Sequence, residues 1–150
     1  MSNLTGAVQY DDMPAPDTIH GPVRNALIKD GWTITADPFT LKYEELRLYA
    51  DLAAERLLAL DRGQEKIAGE IKSFGQPSFV YEFHMAVGQF VNYSIVLRLM
   101  VPERKLFLAV SAETFDEFFT QKGVQTLVTE SRINVIVVDL ATEEVIRWIT

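Results

Sequence analysis

From Leu46 to Glu55 polarity alternates with period two. Leu46, Leu48, Ala50 and Leu52 fall on one face, and Arg47, Tyr49, Asp51 and Glu55 on the other. The alternation resumes from Lys66, where Ile67, Gly69 and Ile71 oppose Lys66, Ala68, Glu70 and Lys72. Period two is the mark of a strand with one face on a core. A turn centred on Asp61-Arg62 pairs residues 46–59 with 65–74 as a hairpin, with Asp51 opposite Lys72. Glu70 then lies on the diagonal from Asp51, roughly 7–8 Å away between Cα atoms and within side-chain reach.

The period changes to that of a helix in two places. Thr18 to Asp30 carries Ile19, Val23, Ala26 and Leu27 on one stripe, with Asp17 or Thr18 as cap, Pro22 near the start and Gly31 at the end. Phe79 to Met100 is the longest helical pattern, with Phe83, Val87, Phe90, Val91, Ile95 and Leu97 apolar and Pro102 ending it. Trp32 to Thr35 reads as a short strand broken by Asp37-Pro38, and Lys105 to Val110 as a buried one. Thr114 to Gln121 and Val124 to Thr129 read as small helices. Ile133 to Val138 and Glu144 to Ile149 read as a closing pair of strands. The predicted class is α/β, a central mixed sheet flanked by helices in the order helix, three strands, helix, strand, then a C-terminal β-hairpin. Residues 1–16 read as a loose N-terminal arm and 17–150 as a single domain.

Composition narrows the class. A chain of 150 residues with 48% hydrophobic content suits one domain with a sizeable core. There is no apolar run of about 18 residues and no basic-then-apolar leader pattern, so a soluble cytoplasmic protein without membrane association is expected. With no cysteine, disulfides and thiolate metal sites are excluded, and His20 and His84 are too few for a histidine cage. The net charge of −7 argues against simple nucleic-acid binding, so a DNA-handling role needs a basic patch or a basic partner.

Asp51, Glu70 and Lys72 carry the candidate chemistry. Mg²⁺ accepts one or two carboxylates and keeps several waters, and a neighbouring lysine can orient water or offset charge on a phosphate. On spacing alone, the same residues fit a solvated hairpin face with an ordinary cross-strand ion pair. Glu55 reads as a rim residue or as a partner supporting the ligands, rather than as a ligand itself. His20 reads either as a helix-start surface residue or as one touching the site. Gln89 interrupts an apolar helix turn, as a satisfied buried amide or as a group facing the carboxylates. Glu82 and His84 read as the solvated side of the long helix, and Phe115, Phe118, Phe119 and Trp148 as core or interface.

The run Asn25-Ala26-Leu27-Ile28-Lys29-Asp30-Gly31-Trp32, with Tyr49-Ala50-Asp51-Leu52 and Gly69-Glu70-Ile71-Lys72-Ser73-Phe74, resembles the cyanobacterial fdxN-element excision controlling factor family of the XisH type. Gly88-Gln89-Phe90 and Val145-Ile146-Arg147-Trp148-Ile149 extend the likeness, which runs from about Met13 to the end. The resemblance implies a restriction-endonuclease-like domain of the PD-(D/E)xK type. In it Asp51, Glu70 and Lys72 are the motif residues, Gln89 is the polar residue of the following helix, and Asp51 and Glu70 bind Mg²⁺ or Mn²⁺. Ala50 departs from the proline of the motif's name. The implied role is to help control programmed excision of a DNA element beside a recombinase and a small partner protein. It would act by phosphodiester hydrolysis or as a catalytically silent accessory. A homodimer is expected, with the aromatic C-terminal half as its interface.

Overall fold

The computed structural model describes residues 16–58 and 63–150. The expected N-terminal arm (apart from Pro16) and the turn at Asp61-Arg62 lie outside the described residues. Helix α1 spans His20–Lys29 and buries Val23, Ala26 and Leu27, as its stripe predicts. Asp17 acts just ahead of it: its Oδ1 accepts the Ile19 N–H at 3.1 Å. Gly31 follows the helix at φ 92°, a left-handed conformation that favours glycine.

Five strands precede the long helix: β1 (Thr33–Ala36), β2 (Phe39–Tyr43), β3 (Leu46–Ala50), β4 (Leu52–Leu57) and β5 (Gln64–Ile71). Helix α2 (Phe79–Met100) is capped by Ser78, whose hydroxyl accepts the Tyr81 N–H at 3.2 Å. Then follow β6 (Arg104–Ser111), the short turn α3 (Ala112–Thr114), a π-helical turn over Phe115–Phe119, α4 (Lys122–Glu130), β7 (Val135–Asp139) and β8 (Glu144–Ile149). The main sheet has the order β1-β4-β5-β6-β7-β8, and β2 pairs with β3 in a separate two-stranded sheet. The pairs β5–β6 and β6–β7 are parallel and the others antiparallel, so the sheet is mixed.

Two expectations change. The alternating stretch 46–57 is not one strand: β3 pairs with β2, β4 pairs with β5, and Asp51 is the residue between them. The register also moves. Leu52 pairs with Gly69 and the Asp51 N–H donates to the Gly69 carbonyl at 3.0 Å, so Asp51 meets Glu70 rather than Lys72. The Leu58 N–H closes the hairpin on the Gly63 carbonyl at 2.9 Å, with Gly63 at φ 87°. That closure is one residue earlier in the turn than expected, which displaces the partner by two and preserves which side chains share a face.

Helices cover both faces of the sheet. Phe83, Ala86, Phe90, Tyr93 and Leu97 of α2 pack on Ala68, Leu106, Leu108, Val110, Val135 and Val137. On the other face Val23, Ala26, Leu27 and Trp32 pack on Leu52, Ala54, Ile67, Ile71, Phe107, Ala109 and Ile136. Strands between two helical layers read as continuous apolar runs, and no side of β5, β6 or β7 is a solvated face. The even positions of β5 therefore point into the α2 layer: first Ala68, then Glu70. At the opposite end of the sheet, the buried Arg104 stitches strands together. Its Nη1 donates to the Ile67 carbonyl at 2.9 Å and its Nη2 to Glu55 Oε2 at 2.9 Å. Among the described residues no helix is long and apolar enough to cross a membrane.

A candidate metal centre where the two sheets meet

Four elements converge on one small cavity of about 100 Å³, lined by Asp17, Tyr49, Asp51, Glu70, Ile71, Lys72, Gln89 and Tyr93. Asp51 is fixed by the strand break: its N–H holds the Gly69 carbonyl and its Oδ2 accepts the Ile71 N–H at 2.6 Å. Glu70 arrives from the end of β5 and is 5% exposed. Lys72 follows directly, its N–H bonded to the Ala109 carbonyl of β6 at 3.1 Å, and its side chain is half-buried. Gln89 and Tyr93 lie four residues apart on α2, one above the other on the face turned to the sheet.

The site is short of positive charge. Glu70 Oε2 and Gln89 Oε1 are buried with no hydrogen-bond partner. Burial pushes the Glu70 carboxyl up to about 9. The Asp51 charge and the hydrogen bond between the two carboxyl groups add to the rise, while Lys72 pulls the other way. Burial, with smaller contributions from Glu70 and Asp51, also pushes the Tyr93 hydroxyl up to about 12. A buried carboxyl group beside a second, half-buried one calls for a retained proton or a cation. Among the described residues no cluster of three or more His, Cys, Asp or Glu forms a cage. A cation would rest on Asp51, Glu70 and the Gln89 amide oxygen, completed by waters. That set of oxygen donors suits Mg²⁺ or Mn²⁺ and fits no soft metal.

All four residues singled out from the sequence thus line one cavity, in an arrangement unlike a solvated hairpin face. His20 and Glu55 are elsewhere. His20 Nε2 sits 2.9 Å from Asp37 Oδ2, and Arg24 donates to the same oxygen at 2.6 Å. Glu55 is engaged by Arg104, because the chain turns out of line at Asp51. Four further residues line the cavity, Ile71 through its place between Glu70 and Lys72 and three others with polar side chains. Tyr49 shares parity with Asp51 and Tyr93 lies one turn beyond Gln89, so both were accessible to pattern reasoning. Asp17 was read as a cap. It serves both purposes: its Oδ2 accepts the Ser73 N–H at 3.0 Å and ties the start of α1 to the residue after Lys72. Larger hollows of about 380 Å³ lie around Trp32 and Trp148 and around Thr33 and Leu57. Neither contains these orphaned oxygens.

Comparison with known proteins bears on the whole chain. The model of the family described as XisH protein matches residues 13–146. A crystal structure of an XisH family protein from Nostoc punctiforme PCC 73102 superposes with a TM-score of 0.81 at 41% identity, covering 89% of this chain and 100% of that one. A fdxN element excision controlling factor protein from Anabaena variabilis superposes with a TM-score of 0.81 at 40% identity, covering 90% of this chain and 100% of its own. No curated protein matches. A family match over nearly the whole chain and two solved relatives of the same fold agree: the chain belongs to the XisH family.

Proposed function

We propose that the Asp51–Glu70–Lys72–Gln89 cavity is the divalent-cation site of a nuclease-like DNA-processing factor that helps control site-specific excision of a DNA element. The observation that carries this reading is the pair of orphaned buried oxygens, Glu70 Oε2 and Gln89 Oε1, beside Asp51 and next to a lysine. The name of the Anabaena variabilis relative supports the excision role. The order of helix, strands, helix and strand supports a PD-(D/E)xK core, with Ala50 in place of the motif's proline. Asp51 and Glu70 would hold Mg²⁺ or Mn²⁺, with Gln89 completing the set. A bound cation supplies charge stabilisation at phosphate and lowers the pKa of water. Lys72, half-buried beside the two carboxyl groups, would present its ammonium to water or a phosphate oxygen there, and the apolar wall behind Glu70 would keep that charge effective.

A second reading, a catalytically silent accessory that binds a recombinase or a small partner protein, is favoured by two observations. The net charge is −7, and the cavity is far smaller than the roughly 300–1,000 Å³ of ordinary ligand pockets. The test is cation binding by calorimetry together with cleavage assays on supercoiled, linear and branched DNA. Metal binding with metal-dependent nicking supports the nuclease reading. Metal binding without nicking, with retained association with a recombinase or a small partner protein, supports the accessory. No cation binding removes the metal site.

A further inference from the structure

Apart from its cavity, the most distinctive surface of the molecule is the outer side of α2. Tyr81, Met85, Gly88, Asn92, Ile95 and Leu99 recur at alternating intervals of four and three, the seam spacing of paired helices. All six are solvent-exposed: Tyr81 at 66%, Met85 at 53%, Ile95 at 40% and Leu99 at 58%. Val80, Val91 and Met100 widen the stripe. The inner side of the same helix is already committed to the sheet, so this stripe contributes nothing to the protomer's core.

Gly88 supplies an independent observation. Glycine is among the poorest residues for the middle of a helix. Within the protomer nothing requires it, because a Cβ there would meet no atom within 4 Å. A small residue at the centre of an exposed apolar stripe is explained by close approach of another backbone from outside.

We infer that this face is a self-association surface, on which a second copy of the chain packs its own α2 antiparallel about a two-fold axis near Gly88 and Asn92. The stripe is self-complementary about that point. Tyr81 meets the partner copy's Leu99, Met85 meets Ile95, and Gly88 meets Asn92, with large residues at the ends and the smallest at the crossing. None of the six is charged, so identical surfaces of a chain carrying −7 can meet here without repulsion. The exposed apolar side chains together offer several hundred Å², close to the roughly 800 Å² per partner of a standard interface. In the aromatic C-terminal half, the interface expected from the sequence, three phenylalanines are already engaged within the protomer. Phe115 and Phe119 are buried and Phe118 stacks on Phe79 with ring centroids 4.0 Å apart. The inference stands apart from the cation-site reading, since it concerns the opposite side of α2.

The absence of native cysteine makes the test clean. Light scattering after gel filtration at micromolar concentration should give twice the chain mass. Ile95→Glu with Leu99→Glu should halve it while leaving the far-ultraviolet circular dichroism spectrum of the folded protomer unchanged. A short bismaleimide should link Met85→Cys/Ile95→Cys protomers into dimers and leave Tyr81→Cys unlinked, because two antiparallel copies of residue 81 lie roughly 27 Å apart along the helices. A monomeric wild-type protein overturns the proposal and leaves the stripe to another occupant. So does a dimer untouched by the paired glutamates. Linking through Tyr81→Cys but not through the pair would overturn the antiparallel arrangement.

Discussion

At the scale of single residues, the proposed site would separate holding a cation from using it. Lys72→Ala should abolish metal-dependent cutting while leaving Mg²⁺ or Mn²⁺ affinity largely intact, because the ammonium acts on water and phosphate rather than on the ion. Asp51→Asn should weaken both, since a neutral amide is a poorer ligand for a hard cation. Parallel titrations and nicking assays on the two variants check this. Glu70 makes a pH prediction. Its folded pKa, about 9, lies above the ordinary carboxylate value, so between about 4.3 and 9 the folded state holds a proton that the unfolded chain releases. Stability in the presence of a chelator should therefore decline as pH rises through that window and level off above it. Glu70→Gln should flatten the profile, as read from chemical denaturation at successive pH values. Residue identity, parity and the family resemblance single out Asp51, Glu70, Lys72 and Gln89 in the chain, and the structure brings the four to one cavity. Depth was not legible, because nothing local to β5 says that α2 will close over Glu70.

At the scale of elements, the long helix was read to the residue and α1 within two residues. Both carry apolar residues at helical spacing and end at clear breaks, Gly31 and Pro102. The strands before α2 were harder. Phe39–Tyr43 was not recognised as a strand because only Leu41 in it is buried, and its pairing with β3 depends on partners distant from the main sheet. Continuous alternation through Asp51 concealed the switch from one sheet to the other, since parity survives a break that direction does not. The hairpin register depends on close packing at Gly69, where a Cβ would lie 3.3 Å from Leu52 Cδ1. Gly69→Val should cost about 1–3 kcal/mol by overpacking. It should also weaken cation binding, because it pushes β4 and Asp51 away from Glu70. Denaturation and metal titration of the same variant measure both effects.

At the scale of the whole molecule, two apolar layers share one sheet, and the α2 layer doubles as the wall of the site. Phe90, 2% exposed, follows Gln89 directly and anchors that layer. Phe90→Ala should destabilise the fold by about 3–5 kcal/mol. Substitutions at exposed positions outside the α2 stripe, such as Lys122→Gln, should stay within about 0.5 kcal/mol, as equilibrium denaturation would show. The mixed α/β class was legible from the order of periods along the chain. The separate two-stranded sheet was not, because it depends on tertiary pairing.

The β4–β5 hairpin carries Asp51 and Glu70 at one end and closes at the other, beyond Leu57 and Gln64. Residues added symmetrically to its far end would lengthen both strands and leave the carboxylates facing each other. Heredity in this site therefore acts on register, and the number of residues between its two acids is free to drift. Relatives with a longer or shorter hairpin would keep the same pair in place while escaping any search that fixes the interval from Asp51 to Glu70.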